Sequence, residues 1–259
     1  YFYYTKLQSM EFSSSEENQS FSLTKFESML KTNNVFFFDS NEFENIIHHY
    51  LEIGKIALAK KAIKLGLDQH PTSINLRLFR VEILIFENKL SEAAKLLNML
   101  FELEPNNEEL YIQKANIHSK RDQHEEAIEV FKQALKVSND SSEIHSLIGM
   151  EYLFLDNYEA AKIHFKKCID LNIEDYSSLY NIIYCFEFLD QNQEAIDYLN
   201  WYLDQNPYCE VAWHQLGKQY LIIKDLIKAL TAFDFAIISD DTFIGAYLEK
   251  AKVLERLNR

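Results

Sequence analysis

The chain has 259 residues, of which 47% are apolar, and it contains only five glycines and three prolines. So few turn-forming residues leave room for short connections only, which favours an all-helical chain. The formal net charge is −14, and the basic stripe that phosphate binding requires is missing, so we expect no nucleic-acid partner. We also expect no membrane association, because no apolar stretch of about 18 residues and no secretory signal are visible.

Residues 1–39 form a leader that precedes the regular part of the chain and does not begin with methionine. Two natural starts remain open, one upstream and one at Met10 with Tyr1–Ser9 as an addition. The polar run Ser13–Ser20 (SSSEENQS) lies within this leader and precedes the first predicted helix.

The first predicted helix covers Phe21–Asn33, with Ser22 as N-cap. Its apolar face is formed by Phe26, Met29 and Leu30. The apolar run of residues 35–38 follows. We consider two roles for the segment: a cap that covers the first repeat, or a detachable segment that occupies the binding groove until a partner enters.

A 34-residue register runs from Ser40 to the C-terminus without insertion or deletion. Its units begin at Ser40, Ile74, Glu108, Ser142, Tyr176, Glu210 and Ile244. The twentieth residue of each complete unit is an alanine: Ala59, Ala93, Ala127, Ala161, Ala195 and Ala229. All three prolines fall at position 32, where one helix must turn into the next. This periodicity predicts six complete two-helix units and the first helix of a seventh. Because the second helix of the seventh unit is missing, we expect that the sequence is truncated there.

The unit Glu210–Phe243 shows the pattern most fully, with Trp213, Leu216, Gly217, Tyr220, Ala229, Phe233 and Ala236 at positions 4, 7, 8, 11, 20, 24 and 27. This pattern resembles the tetratricopeptide repeat (TPR) family. The resemblance implies an all-α fold, a right-handed α-solenoid of antiparallel helix pairs over residues 40–259. Small residues at positions 8, 20 and 27 allow close helix approach, and bulky residues at 4, 7, 11 and 24 fill the space between helices.

In TPR proteins, positions 2, 5, 9, 12 and 13 of each first helix build the concave surface. The lysines and asparagines that clamp acidic chaperone tails in this family are represented only by Asn116 and Lys218, so we reject that function. The positions are instead mostly apolar or aromatic, which suits an amphipathic helix or an extended peptide. The candidate partner-binding residues are Phe86, Met150, Leu153, Phe154, Tyr180, Tyr184, Phe188, His214, Lys218, Leu221 and Ile222. Alternatively, a tight superhelix buries these side chains against the next repeat.

Catalytic and metal-binding patterns are absent from the sequence: we find no Gly-rich phosphate loop, nucleophile elbow, HExxH or paired CxxC spacing. We therefore predict no enzyme activity, no cofactor and no metal. His118 and His145 replace core aromatics and are expected to form hydrogen bonds within the helix packing. The three cysteines are expected to be packing residues in a reducing cytoplasm.

The sequence thus predicts a cytoplasmic, non-enzymatic adaptor that binds a protein or peptide and is a monomer or weak dimer. Two alternatives remain: a regulatory TPR protein that senses a peptide, and the targeting region of a longer multidomain protein. No lysine or arginine occurs between Cys168 and Gly217. This acidity indicates either solvated helix faces or an electrostatic guide for a basic partner.

Overall fold

The computed structural model describes the backbone of residues 12–32 and 35–258 and the side chains from residue 21 onward. The possible start at Met10 lies outside the described residues, as do the side chains of the polar run Ser13–Ser20. The described part of the chain contains fourteen α-helices and no strand.

Helix α1 (Phe12–Thr32) is followed by alternating first and second helices of the repeats. The first helices are α2 (Ser40–Glu52), α4 (Ile74–Phe86), α6 (Glu108–Ser119), α8 (Ser142–Phe154), α10 (Tyr176–Phe188), α12 (Glu210–Ile222) and α14 (Ile244–Arg256). The second helices are α3 (Ile56–Gln69), α5 (Leu90–Leu103), α7 (His124–Val137), α9 (Tyr158–Leu171), α11 (Asn192–Gln205) and α13 (Leu226–Ser239).

The predicted all-α repeat fold is confirmed. Every first helix begins at the residue where the 34-residue register starts a unit. The alanines at position 20 are fully buried in all six complete units, because a larger side chain there would separate the helices that cross at that point.

The chain forms two compact units, Tyr1–Gln123 and His124–Arg259. The first contains a core between α1, α2 and α3 and a second core around α4 and α5, lined by Leu97 and Leu100. The largest core of the second unit surrounds Phe165, Leu199 and Tyr202.

The leader helix α1 begins at Phe12, nine residues before the predicted start at Phe21. The prediction that Ser22 is an N-cap is therefore wrong: Ser22 lies inside the helix, and its hydroxyl donates to Glu42 Oε1 at 2.7 Å. Serine caps a helix through a hydrogen bond to a backbone N–H, whereas the hydroxyl of Ser22 bonds to a carboxylate of α2.

Phe26 fixes α1 against the first repeat. Its side chain is 0% exposed, and its ring centroid lies 6.0 Å from that of Phe38, 6.4 Å from Phe43 and 6.1 Å from Tyr50. Met29, one turn further along α1, is also buried. The predicted apolar face of this helix therefore lies on α2.

Residues 35–39 form no regular secondary structure and lie beside the C-terminal end of α3. The backbone N–H of Phe38 donates to Gln69 Oε1 at 3.0 Å, and Gln69 Nε2 donates to the carbonyl of Phe36 at 2.9 Å. The carbonyl of Phe38 lies 2.7 Å from His70 Nε2. These contacts satisfy backbone groups that would otherwise lack partners and hold the segment in place.

One position after each first helix adopts the left-handed backbone conformation, with φ between 53° and 70°. It is position 15 of every unit: Gly54, Asn88, Asp122, Asp156, Asp190, Lys224 and Asn258. Asparagine and aspartate tolerate this conformation better than most residues. Each first helix therefore ends in the same tight turn, with position 13 as its last or nearly last residue.

His145 and His164 form a buried pair between α8 and α9, with 3.0 Å between their Nδ1 atoms. This is the interhelical role expected for His145. Burial lowers the pKa of His145 and lowers that of His164 to about 4, and the charges of His145 and Lys167 add to the effect on His164. Tyr152 and Lys132 also face His164, and the charged groups of the described residues that act on the pair are Lys167 and Lys132, with no carboxylate among them.

We expect this pair to destabilise the protein in acid. Unfolded histidines bind a proton near pH 6.5, whereas the folded pair resists protonation. The contribution of the pair to the free energy of unfolding is therefore complete above that pH, and it is lost as the pH falls from about 6.5 towards 4. In the double variant His145→Leu/His164→Leu, the urea concentration at the unfolding midpoint should fall less between pH 7 and pH 5 than it does in the wild type. The exposed His48→Leu is the control and should keep the wild-type pH dependence; an unchanged dependence in the double variant would contradict the prediction.

Candidate functional site

Helix α10 carries four exposed aromatic side chains spaced four residues apart, and the three predicted candidates among them are Tyr180, Tyr184 and Phe188. They are 41%, 43% and 55% exposed. The opposite side of α10 is buried, with Leu179, Ile182, Ile183, Cys185 and Phe186 in the core. Since residues i, i+4 and i+8 lie on one helix face, these three side chains form a continuous strip, here called the aromatic stripe.

Two rings of the aromatic stripe, Tyr184 and Phe188, pack against each other and against Tyr158 of α9. The ring centroids of Tyr184 and Phe188 are 4.5 Å apart, and Tyr158 stacks on Phe188 at 4.7 Å. The Tyr158 hydroxyl donates to Asp156 Oδ1 at 2.9 Å, which raises the pKa of Tyr158 to about 12 and keeps the phenol neutral. Tyr184 and Phe188 are therefore held in place by ring contacts.

Phe154 and Ile222 are exposed at the same repeat position as Phe188 and end α8 and α12. The ring of Phe154 stacks on His124 at 4.9 Å, and His124 Nδ1 lies 2.7 Å from Glu151 Oε2. One face of Phe154 is thus covered by a side chain of the preceding repeat, while Phe154 remains exposed.

The other candidate residues of the second unit are less accessible. Met150 and Leu153 are partly buried and pack against the core of the second unit. Leu221 packs against the small core around Phe233 and Val253. These three residues therefore contribute more to the packing of the unit than to its exposed surface.

His214 lies between Phe233 and Phe243, with ring centroids at 5.7 and 5.2 Å. Both ring nitrogens are shielded from solvent and have no hydrogen-bond partner among the described residues. Burial lowers the pKa of His214, and nearby Lys218 adds to this effect. In this arrangement neither nitrogen of His214 is open to a ligand, and Lys218 is partly buried beside it.

Phe86 belongs to the first compact unit and ends α4 with its side chain exposed. The sequence left open that the next repeat buries the candidate side chains. This alternative is wrong for six of the eleven candidate residues. These exposed residues are Phe86, Phe154, Tyr180, Tyr184, Phe188 and Ile222.

The cysteines Cys168, Cys185 and Cys209 are free and buried, as expected for packing residues. Burial raises the pKa of Cys168 and Cys185 to about 11. Within the described residues, no group of three or more His, Cys, Asp or Glu side chains is placed to hold a metal ion. No helix in the described part of the chain combines the length and apolarity needed to cross a membrane.

The helix pairs and their repeated close contacts define an all-α helical-repeat protein. Two family models, each described as tetratricopeptide repeat, match residues 87–151 and 142–172. The chain is 28% identical over 140 residues to anaphase-promoting complex subunit 3 of Schizosaccharomyces pombe, in an alignment that covers 54% of this chain and 21% of that protein. It therefore spans about a fifth of this relative. Residues 87–172 of the chain therefore contain tetratricopeptide repeats.

Solved structures show the same fold at low identity. The APC/C hetero-tetramer Cut9–Hcn1 matches with a TM-score of 0.57 and 14% identity, over 92% of this chain and 47% of the matched chain. The C-terminal part of a TPR repeat-containing protein from Cytophaga hutchinsonii matches with a TM-score of 0.57 and 16% identity, over 92% and 97% of the two chains.

Proposed function

We propose that this protein is a non-enzymatic interaction scaffold that binds a peptide segment of a protein partner on the aromatic stripe of α10. The observation that carries the proposal is the exposure of Tyr180, Tyr184 and Phe188 on one helix face. Large aromatic side chains provide much of the binding energy at protein interfaces, because they bury a large apolar area for few rotatable bonds. The fold, which is that of a family of interaction modules, supports the proposal.

The stripe suits a peptide because it is narrow and regular. An amphipathic helix or an extended segment presents apolar side chains at fixed intervals to such a strip. The contacts of Tyr184 and Tyr158 with Phe188 restrict the ring rotamers already in the free protein. Binding therefore costs little side-chain entropy, which favours affinity.

A peptide library displayed on phage and selected on the whole chain tests the proposal. We expect the selected peptides to share apolar anchors. Tyr184→Ser/Phe188→Ser should weaken their binding by about thirtyfold or more in calorimetry, since truncating a hot-spot residue costs about 2 kcal/mol or more. The variant should keep its helical circular dichroism, because both side chains lie on the exposed face.

The matched control is Tyr208→Ser/Ile238→Ser, which removes two strongly exposed apolar side chains from the same compact unit. Its affinity for the selected peptides should equal that of the wild type. If the stripe variant bound these peptides as tightly as the control, the site would lie elsewhere.

A further inference from the structure

Helix α11 presents a tryptophan among carboxylates on the face that points away from the core. Glu194, Asp197, Trp201 and Asp204 are all exposed and lie within one face of the helix, at spacings of three, four and three residues. The opposite side of α11 contains the buried residues Ala195, Ile196, Leu199, Tyr202 and Leu203. We call the first four residues the tryptophan–carboxylate face. Trp201 has one aspartate a turn before it and another a turn after it.

The charge of this face is not compensated locally. Helix α11 contains three acidic residues and no lysine or arginine. Within the described residues, none of the three carboxylates is in an ion pair. The contact found for Asp197 is neutral: its Oδ1 accepts from Gln193 Nε2 at 2.9 Å.

The aromatic part of this face is accessible as well. Trp201 is 43% exposed, and its ring centroid lies 5.2 Å from that of Tyr198. The nearby cation, Lys166 Nζ, lies over Tyr198 at 4.9 Å and over Phe186 at 5.1 Å. In the described part of the chain no cation is placed over Trp201.

A cleft of about 170 Å³ opens between helices α11, α12 and α13. It is lined by Asn200, which precedes Trp201 in the chain, and by Trp213 and Tyr220 of α12. Lys228 also lines the cleft and lies 3.4 Å from the carboxylate of Asp225. The cleft therefore offers apolar walls next to an acidic aromatic surface.

We propose that the tryptophan–carboxylate face binds an arginine-bearing segment of a protein partner, at a surface separate from the aromatic stripe of α10. The guanidinium stacks on the indole of Trp201 and donates N–H groups to Asp197 and Asp204. An apolar side chain adjacent to the arginine enters the neighbouring cleft. Arginine fits better than lysine because its planar, weakly hydrated head stacks on an aromatic ring while it donates in the ring plane.

Short synthetic peptides in which arginine or lysine alternates with leucine test this proposal against the whole chain. Affinity is measured by fluorescence anisotropy at low ionic strength. The arginine peptide should bind at least about threefold more tightly than the lysine peptide, and Trp201→Ala should weaken its binding about two- to fivefold. Asp197→Asn/Asp204→Asn should weaken it by a similar or larger factor.

The control for charge is Glu125→Gln/Glu126→Gln on α7, which removes the same two charges from exposed positions of the same compact unit. It should leave the affinity for the arginine peptide within about twofold. Equal binding of the two peptides, or an equal loss in the α7 control, would show nonspecific attraction to an acidic protein and overturn the proposal. Loss of the arginine peptide in Tyr184→Ser/Phe188→Ser but not in Trp201→Ala would place it on the stripe, which overturns this inference and leaves the proposed function intact.

Discussion

Replacing Phe26 by alanine is expected to lower the free energy of unfolding of the first compact unit by about 3–5 kcal/mol, as for other fully buried phenylalanines. The side chain is 0% exposed and contacts the rings of Phe38, Phe43 and Tyr50. Its loss leaves a cavity between α1 and α2 that the rigid neighbouring rings cannot fill. Urea unfolding followed by circular dichroism measures the loss, and amide hydrogen exchange should show reduced protection in α2.

Phe21→Ala is the matched control, because it makes the same chemical change on the same helix at a residue that is 67% exposed. Its effect should stay within about 0.5 kcal/mol. Unchanged protection of α2 in Phe26→Ala would mean that α1 does not stabilise the first repeat. That result would favour the detachable segment considered from the sequence.

Gly217→Ala is expected to destabilise the second compact unit by about 1–3 kcal/mol. A Cβ at this position would lie 2.5 Å from Phe233 Cε1 and within 2.8 Å of two further atoms of the same ring. The ring is fully buried and cannot move aside without displacing its neighbours. This clash outweighs the roughly 0.5–1 kcal/mol that alanine gains over glycine inside a helix. Urea unfolding followed by tryptophan fluorescence reports it, because Trp201 and Trp213 both belong to this unit.

Gly245→Ala provides the control, since a Cβ there would meet its nearest neighbour, His214 Nε2, at an ordinary 3.5 Å. This substitution should be neutral or slightly stabilising. Combining Gly217→Ala with Phe233→Leu should cost less than the sum of the two single changes, because the smaller side chain relieves the clash. Strict additivity would contradict the proposed cause.

The repeat architecture could be predicted from the sequence because the same steric demand recurs. Close helix crossing requires a small residue at position 20, and six alanines in register make that demand visible. The exposed stripe on α10 followed from the same register, since Tyr180, Tyr184 and Phe188 occupy positions 5, 9 and 13. A feature that recurs in every unit leaves a periodic signal, whereas a contact made once does not.

Two features that escaped prediction depend on single tertiary contacts. The hydroxyl of Ser22 binds Glu42 of α2, and His214 is shielded by the rings of Phe233 and Phe243. The left-handed turn at position 15 was a recurrent signal, visible as aspartate or asparagine in five of seven units. The face around Trp201 could have been found from the spacing of Glu194, Asp197 and Asp204.

The shared turn after each first helix bears on how such a protein changes its partners during evolution. Position 13 is exposed as Phe86, Phe154, Phe188 and Ile222, while the turn that follows it is fixed by the backbone at position 15. A point mutation at position 13 therefore alters the surface offered to a partner without disturbing the buried residues that set the repeat. The chemistry of the exposed surface and the ability to fold are therefore selected at different positions of the same helix.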